Sequence, residues 1–362
     1  MPMTTSKPNR GRVMLKGMLA TALLVLILPL LPYVFAGTAD GTSPAVVTVP
    51  SPGADLWRAV RQRDGDIVGS TQVKGVDTGV LVNSAGQAWR EFRIEKLIPY
   101  SAYVFAGVLA LLLIYFLLRG RIPIKAGRSG VLIPRYSTFD RWVHWIMVAV
   151  FMTLALTGVI LLYGRLVLIP LLGPEGFGVT AQISKWLHDI TGPIFIVSLI
   201  VMTFTFIREA YLSFKVDMIW FLRAGGYLGG KHPSSGKTNA GQKSWYWAVV
   251  LGGLVLIGSG LVMYFPNFQQ GREVLQDANL IHGLAAVFLI AFMFIHIYLA
   301  SVGMEGSLEC MTTGYCDENW AKEQHDLWYE EMKAEGQIGT RFGDELPQQA
   351  STPGQAQATG ES

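Results

Sequence analysis

Apolar residues occur along this chain in long runs, and polar residues gather between the runs instead of alternating with them. Five such runs occupy positions 100–118, 142–162, 188–207, 245–265 and 280–302. A helix needs about 20 consecutive apolar residues to cross the hydrocarbon core of a bilayer. The pattern therefore predicts an all-α integral membrane protein with five transmembrane helices.

The segments outside these runs predict the remaining organisation. Basic residues followed by "MLATALLVLILPLL" and a small-residue site ending at Ala36 are typical of a cleaved signal peptide over residues 1–36, with an uncleaved anchor helix as the alternative. The polar stretch 37–98 is expected to be an extracytoplasmic segment that precedes the first transmembrane helix, at 99–119. The main membrane domain is predicted to span residues 135–304.

The C-terminal part is predicted as an amphipathic tail helix over residues 305–336, which carries Trp320, Leu327 and Trp328. The Gly-, Pro- and Gln-rich stretch 337–362 is typical of a disordered tail. His325 in the tail helix, and His232 in a loop, are expected to be exposed to solvent.

Composition and loop charge narrow the class of protein. The chain is 51% hydrophobic and 15% charged, and its net charge is +3, which disfavours nucleic acid as a partner. Basic residues concentrate in the loops after the first and third runs, and such loops lie on the cytoplasmic side. The mature N-terminus is thus predicted outside and the C-terminus inside. These loops contain Arg119, Arg121, Lys125, Arg128, Arg135, Arg141, Arg208, Lys215, Arg223, Lys231, Lys237 and Lys243.

Four histidines within the apolar runs are the candidate cofactor ligands. His282 and His296 are separated by about 21 Å along a helix, at a rise of about 1.5 Å per residue. They share one face, because their spacing falls only about 40° short of four full turns. His188 begins its run from the outside and His144 from the inside. The levels predict an outer pair, His188 with His282, and an inner pair, His144 with His296.

Two histidine pairs in one bundle are what two b-type haems require, because iron takes one imidazole on each side of the porphyrin. Arg141 and Lys185 lie one turn before His144 and His188, where each could contact a haem propionate. The chain has two cysteines, too few for a cysteine-held cluster. Two alternatives remain open: the histidines could pack or hydrogen-bond within the bundle, or they could form a proton relay.

Five segments in order, "FDRWVHW", "KWLHDITG", "KTNAGQK", "LIHGLAA" and "FIHIYLA", resemble the cytochrome b (gamma) subunit of membrane-bound formate dehydrogenase. The ending "WAKEQHDLWYEE" is also similar to that family, and the resemblance covers about residues 135–331. It implies a four-helix di-haem cytochrome b bundle in the bacterial inner membrane, plus one extra N-terminal transmembrane helix in this chain. The same two histidine pairs would be the axial ligands of two haems b.

The resemblance also implies the partners of the chain. Electrons would come from an iron–sulfur (beta) subunit on the outer side, fed by a molybdenum or tungsten catalytic (alpha) subunit that oxidises formate. Quinone would be reduced near the inner haem, at Asn239 and Gly241. Without the resemblance, "TNAGQK" predicts only a polar turn before a helix. With the resemblance, the chain is expected to be an electron-transfer subunit that has no formate-oxidising centre of its own.

Two rival functions fit the same sequence. The same scaffold could serve a hydrogenase or a thiosulfate/polysulfide reductase, and only the partner enzyme would distinguish them. An alternative of a different class is a membrane anchor without haem. A measurement of haem content would distinguish this anchor from a cytochrome b.

Overall fold

The computed structural model describes residues 84–343 except 231, 267 and 269. The predicted signal peptide, most of the 37–98 segment and the tail beyond residue 343 lie outside the described residues. The described part forms two compact units. The first comprises residues 84–118, 143–208 and 245–297, and the second comprises residues 119–142, 209–244 and 298–343.

Helices account for most of the described chain. The elements, in chain order, are α1 (Ser84–Glu91), a π-helical turn (Phe92–Leu97), α2 (Ile98–Arg119), β1 (Leu132–Pro134), α3 (Thr138–Phe206), α4 (Phe214–Leu222), a 3-10 turn (Ala224–Gly226), α5 (Ala240–Tyr264), α6 (Arg272–Tyr298), a second π-helical turn (Leu299–Gly303), α7 (Ser307–Thr312), β2 (Tyr315–Asp317), α8 (Glu318–Gln324) and α9 (Asp326–Ala334).

Four helical segments among the described residues are long and apolar enough to cross a membrane. They are Gly86–Arg119, Thr138–Phe206, Ala240–Tyr264 and Arg272–Gly303. In a bilayer every backbone polar group needs a partner within the protein, and a helix supplies these partners from its own chain. The predicted class, an all-α membrane protein, is confirmed.

The longest helix, α3, is two antiparallel arms joined at Gly173, whose φ of 72° is accessible mainly to glycine. A hydrogen bond joins Thr157 to His188 across the arms. The Phe151 and Phe195 rings lie 6.4 Å apart, again between the arms. α3 therefore supplies both the second and the third predicted spans. The sequence predicts a loop between these spans, at 163–187, but helical structure continues through it apart from the break.

The core of the first unit is apolar and closely packed around glycines of α5. Its buried residues are Met147, Val150, Phe195, Leu199 and Val249. A Cβ on Gly253 would lie only 2.8 Å from Leu199, and one on Gly252 only 3.0 Å from Leu289. These glycines let the facing helices approach closely, as small residues do in membrane bundles.

Helix α2 packs along one side against other helices of the first unit, and much of the surface of α2 is apolar and exposed. The Ser101 and Tyr163 hydroxyls are 2.6 Å apart, and the Phe105 and Phe294 rings lie 5.8 Å apart. Leu111 and Leu117 are 66% and 72% exposed, as expected of side chains that face lipid. α2 lies within Gly86–Arg119, which is long and apolar enough to cross a membrane, and the additional N-terminal transmembrane helix stays a prediction.

The second unit contains a two-stranded antiparallel sheet, in which Leu132 pairs with Asp317 and Ile133 with Cys316. The prediction of one tail helix over 305–336 is wrong, because this segment forms α7, β2, α8 and α9. Pairing with β1 takes three residues of the tail out of helical conformation.

The expected exposure of two histidines is wrong as well. His325 is only 1% exposed, and its Nδ1 lies 2.7 Å from the Gly236 carbonyl oxygen. Burial lowers the pKa of His325 well below its usual value, so this imidazole is neutral at physiological pH. His232 is partly buried, and its Nδ1 lies 2.9 Å from the Pro233 carbonyl oxygen.

Asp317 links the sheet to α8. Its carboxylate accepts hydrogen bonds from the Gly130 and Asn319 backbone N–H groups, at 3.0 and 2.9 Å, and from the Ser129 hydroxyl at 3.1 Å. Burial raises the pKa of Asp317, but these hydrogen bonds outweigh burial and hold the pKa below its usual value. The pKa of Asp317 is lower in the folded state than in the unfolded state, so ionised Asp317 stabilises the fold. This stabilisation is complete above the unfolded-state pKa of about 4, and it is lost as the pH falls through the folded-state pKa.

Asp317→Asn is therefore expected to remove part of the acid dependence of stability. The midpoint of thermal unfolding should fall at pH 7 relative to the unmodified chain, and the two midpoints should converge below pH about 4. The exposed Glu330→Gln on α9 is the control. A constant difference between Asp317→Asn and the unmodified chain across this pH range would contradict the assignment.

Candidate functional site

The four histidines of the apolar runs lie in two pairs within the first unit. The ring centroids of His188 and His282 are 6.1 Å apart, and those of His144 and His296 are 6.5 Å apart. An iron between two imidazoles, with metal–nitrogen bonds of about 2 Å, separates the centroids by roughly 6 Å. Both pairs have the separation that a bis-histidine haem needs.

Hydroxyl groups orient both members of the first pair. His188 Nδ1 lies 2.9 Å from the Thr157 hydroxyl, and His282 Nδ1 lies 3.1 Å from the Ser259 hydroxyl. The Thr157 hydroxyl donates its single proton to the Thr153 carbonyl oxygen, at 2.7 Å. The Ser259 hydroxyl donates its proton to the Val255 carbonyl oxygen, also at 2.7 Å.

Since these hydroxyl protons are used, each hydroxyl accepts a hydrogen bond from the Nδ1–H of its histidine. This fixes the tautomer and leaves the Nε2 lone pairs of His188 and His282 available to a metal. Each hydroxyl residue directly precedes a glycine that lies beside the same imidazole. A Cβ on Gly158 would lie 3.6 Å from His188 Cε1, and one on Gly260 would lie 3.4 Å from His282 Cε1.

Aromatic packing orients the second pair. Trp245 stacks on His296 with an interplanar angle of 18° and a centroid distance of 5.1 Å. Phe151 and Phe292 pack in turn against Trp245. His144 Nδ1 is buried and has no hydrogen-bond partner among the described residues. Helix α3 begins at Thr138, so His144 lies more than one turn inside the helix, deeper than the predicted span places it.

The two predicted propionate contacts have other partners. The Arg141 guanidinium donates to the Thr312 carbonyl oxygen at 2.7 Å and to the Thr138 hydroxyl at 3.2 Å, and its buried Nε has no partner in the described chain. The exposed Lys185 forms an ion pair with Asp189 one turn later. Their contacts with a haem stay predictions.

The two predicted quinone-site residues begin helix α5. The Asn239 side-chain oxygen accepts from the Gln242 N–H at 2.9 Å, and the Gln242 side chain accepts from the Asn239 N–H at 3.0 Å. This reciprocal cap is a capping box. A Cβ on Gly241 would lie 2.7 Å from the Trp220 ring, so glycine permits the close contact. The polar turn that introduces a helix is thus present, and the quinone role stays a prediction.

Comparison with known proteins identifies the family. A family model described as prokaryotic cytochrome b561 matches residues 135–314. The nitrate-inducible formate dehydrogenase cytochrome b556(Fdn) subunit of Escherichia coli K12 is 32% identical over 218 residues, which cover 59% of this chain and 97% of that protein. The chain belongs to the formate dehydrogenase cytochrome b subunits.

Two further relatives agree with this assignment. The formate dehydrogenase cytochrome b556(fdo) subunit of Escherichia coli K12 is 28% identical over 205 residues, or 56% of this chain and 93% of that protein. The formate dehydrogenase cytochrome b556 subunit of Haemophilus influenzae is 31% identical over 212 residues, or 54% of this chain and 82% of that protein. The chain is therefore a multi-pass membrane cytochrome b of electron transport, and its family implies haem b.

Sequence reasoning missed three side chains of this cytochrome b. Thr157 and Ser259 each occur as a hydroxyl residue followed by glycine, in "LTGV" and "GSGL", and this repeated pairing was the available signal. Trp245 begins the fourth predicted span, but its stacking on His296 depends on how two distant helices meet.

Proposed function

We propose that this cytochrome b subunit carries two haems b and passes electrons from an iron–sulfur subunit on the outer side to quinone near the cytoplasmic side. The two histidine pairs at ring separations of 6.1 and 6.5 Å carry the proposal. His188 and His282 would hold the outer haem, and His144 and His296 the inner one. When bound, each haem supplies an iron that gains and loses one electron.

Other residues of the chain would prepare the haem ligands and bind the quinone. Thr157 and Ser259 keep Nε2 of the outer pair unprotonated, and the apolar core excludes water between the pairs. At the start of α5, the cap uses the Asn239 side-chain oxygen and leaves its Nδ2 to donate to a quinone carbonyl. The basic loops support an orientation in which quinone takes its protons from the cytoplasm.

Electron transfer in this direction stores energy. With the outside positive, an electron that moves inward goes uphill by about 2.3 kcal/mol per 100 mV. Formate oxidation by a molybdenum or tungsten catalytic partner would supply this energy. The chain itself would contribute no formate-oxidising centre.

The test is formate-driven haem reduction in membranes that contain the assembled complex. Formate is expected to reduce the b-type haem bands, and a soluble quinone added afterwards should reoxidise them. His144→Ala should block reoxidation by quinone. Haem that stays oxidised with formate but is reduced by hydrogen would favour the hydrogenase alternative, and a complex without haem would favour a bare anchor.

The hydroxyl partners of the outer pair give a separate prediction. Thr157→Val removes the acceptor of the His188 Nδ1–H and so lowers the basicity of the ligand, which disfavours ferric iron. The midpoint potential of one haem should rise by some tens of mV, where about 59 mV corresponds to a tenfold change for one electron.

Thr153→Val is the matched control for this potentiometric titration, because the Thr153 hydroxyl donates to the Ala149 carbonyl oxygen one turn away on the same helix. Equal shifts in both variants would contradict the role of Thr157. A shift of both haems by Thr157→Val would contradict its assignment to one pair.

A further inference from the structure

Arg135, in the second unit, is a buried cation without a carboxylate partner among the described residues. It is 4% exposed, and its guanidinium donates to the Lys237 carbonyl oxygen at 2.5 Å. A second guanidinium nitrogen lies 3.6 Å from Cys310 Sγ. His325 Nε2 lies 3.3 Å from the guanidinium and accepts from it, since its Nδ1–H donates to the Gly236 carbonyl oxygen. The guanidinium also lies beside three aromatic rings, those of Tyr136, Trp320 and Trp328, whose centroids are 4.8–5.5 Å from its carbon. Rings and carbonyl dipoles leave the charge unneutralised, and a buried charge is costly unless it is paired.

The two cysteines of the chain lie beside this cation. Cys310 and Cys316 are free, and they are 2% and 1% exposed. Cys310 lies in α7, and Cys316 in β2 opposite Ile133 of β1. Cys310 Sγ lies 3.6 Å from the Gly306 carbonyl oxygen, and Cys316 Sγ lies 3.8 Å from the Ile133 carbonyl oxygen. The two thiols are close enough for the ionisation of one to affect that of the other.

The electrostatics differ between the two thiols. Burial raises the pKa of the Cys310 thiol, but the interaction with Cys316 and the charge of Arg135 outweigh burial and hold this pKa below its usual value. The hydrogen bond with Cys310 and burial raise the pKa of the Cys316 thiol. The titratable groups that face this pair are Arg135 and Tyr136 beside β1, Asp317 of β2 and the neutral His325 before α9.

We propose that Cys310 is a thiolate paired with Arg135, and that Cys310 and Cys316 form a redox-active dithiol which peroxide converts to a disulfide. The geometry supplies a nucleophile, its counter-ion and an adjacent resolving thiol. Hydrogen peroxide is close to water in size, so brief local opening admits it to a site that excludes larger reagents.

The reaction balances in two steps. The Cys310 thiolate attacks one peroxide oxygen, the O–O bond breaks, and Cys310 sulfenic acid and hydroxide form. The Cys316 sulfur then attacks the Cys310 sulfur, the S–OH bond breaks, and the released hydroxide leaves as water with the Cys316 proton. The proton that Cys310 released on ionising neutralises the hydroxide of the first step. In sum, two thiols lose two electrons and two protons, and one peroxide becomes two waters. The product leaves Arg135 without its anionic partner.

The test uses the full chain in the assembled complex, purified without oxygen and treated with hydrogen peroxide. The complex is then denatured in N-ethylmaleimide, and the intact mass of this chain is measured. The untreated chain should bind two maleimides, because it has two cysteines. The treated chain should bind none and should have lost two hydrogens. Two bound maleimides after treatment, added oxygens, or a disulfide between two chains would each overturn the proposal.

Variants and pH distinguish the roles of the two sulfurs. Cys316→Ser should stop at a Cys310 sulfenic acid that dimedone captures, whereas Cys310→Ser should react with neither peroxide nor dimedone. Oxidation of Cys316 alone would overturn the assignment of Cys310 as the nucleophile. The haem spectrum of each variant verifies that the membrane domain is assembled.

The positioning role of Arg135 is tested by rate. Loss of its charge would raise the Cys310 pKa toward the usual value of a free thiol, about 8.5, so Arg135→Gln should react several-fold more slowly at pH 7. The pH profile of the unmodified chain provides a second test that needs no variant. Its rate should reach half of its maximum at a pH below about 8.5, the usual pKa of a free thiol, because the Cys310 pKa is lowered. A half-maximal rate at or above this pH would overturn the thiolate assignment.

Discussion

His188→Ala is expected to lower the haem b content of the purified complex from about two to about one per chain, because bis-histidine iron loses one of its two axial ligands. The His144 and His296 rings, which form the other pair, are untouched by this change. His144→Ala should also leave about one haem, and the double variant should leave almost none. A pyridine haemochrome assay against chain concentration measures these ratios.

The matched control is His232→Ala, which removes a partly buried histidine that belongs to neither pair. Its haem content should equal that of the unmodified chain. Each single ligand variant should also abolish electron transfer from formate to quinone, because the path needs both haems. A His188→Ala complex that keeps both haems would show that His188 is a packing residue.

Asp217→Leu is expected to destabilise the second unit by about 3–5 kcal/mol, because it leaves Lys243 buried and unpaired. Lys243 Nζ donates to both carboxylate oxygens of Asp217, at 2.9 and 3.0 Å. The two side chains are only 8% and 10% exposed. Asp217 also accepts from the Ser213 N–H before α4, at 2.7 Å, so that bond is lost as well. The midpoint of thermal unfolding should fall markedly.

The double variant Asp217→Leu with Lys243→Met separates charge from packing. An apolar pair of similar volume in place of a buried ion pair is often close to neutral, so most of the lost stability should return. Glu309→Gln, which breaks the exposed pair with Arg128, is the control and should cost less than about 1 kcal/mol because solvent screens it. A double variant that is less stable than Asp217→Leu would contradict this account.

The membrane helices could be predicted from the sequence because the bilayer imposes a minimum length of apolar chain. The pairing of His188 with His282, and of His144 with His296, could be predicted because helical rise and chain direction fix the level of each residue. Their positions did not require knowledge of side-chain packing. The ends of the helices do depend on side-chain packing, so the sequence did not predict them correctly. The helix α3 extends well beyond the two predicted spans.

The features that sequence reasoning missed depend on contacts between distant segments. The tail could not be read as β2 followed by α8 and α9, because strand pairing with β1 decides it and only three residues take part. The burial of His325 depends on further tertiary contacts, with Ser235, Gly236 and Arg135. Thr157 and Ser259 required knowledge of which helix faces bring a hydroxyl to an imidazole.

The distribution of the four histidines over two helices bears on how the protein matures. His144 and His188 belong to α3, whereas His282 and His296 both belong to α6, the last membrane helix in the described part of the chain. A chain emerging from the ribosome inserts α3 before α6. At that stage the chain contains only one histidine of each proposed ligand pair. Neither pair is complete until α6 has entered the bilayer, so haem loading would follow synthesis of the entire bundle. A nascent chain halted before α6 would then contain no stably bound haem.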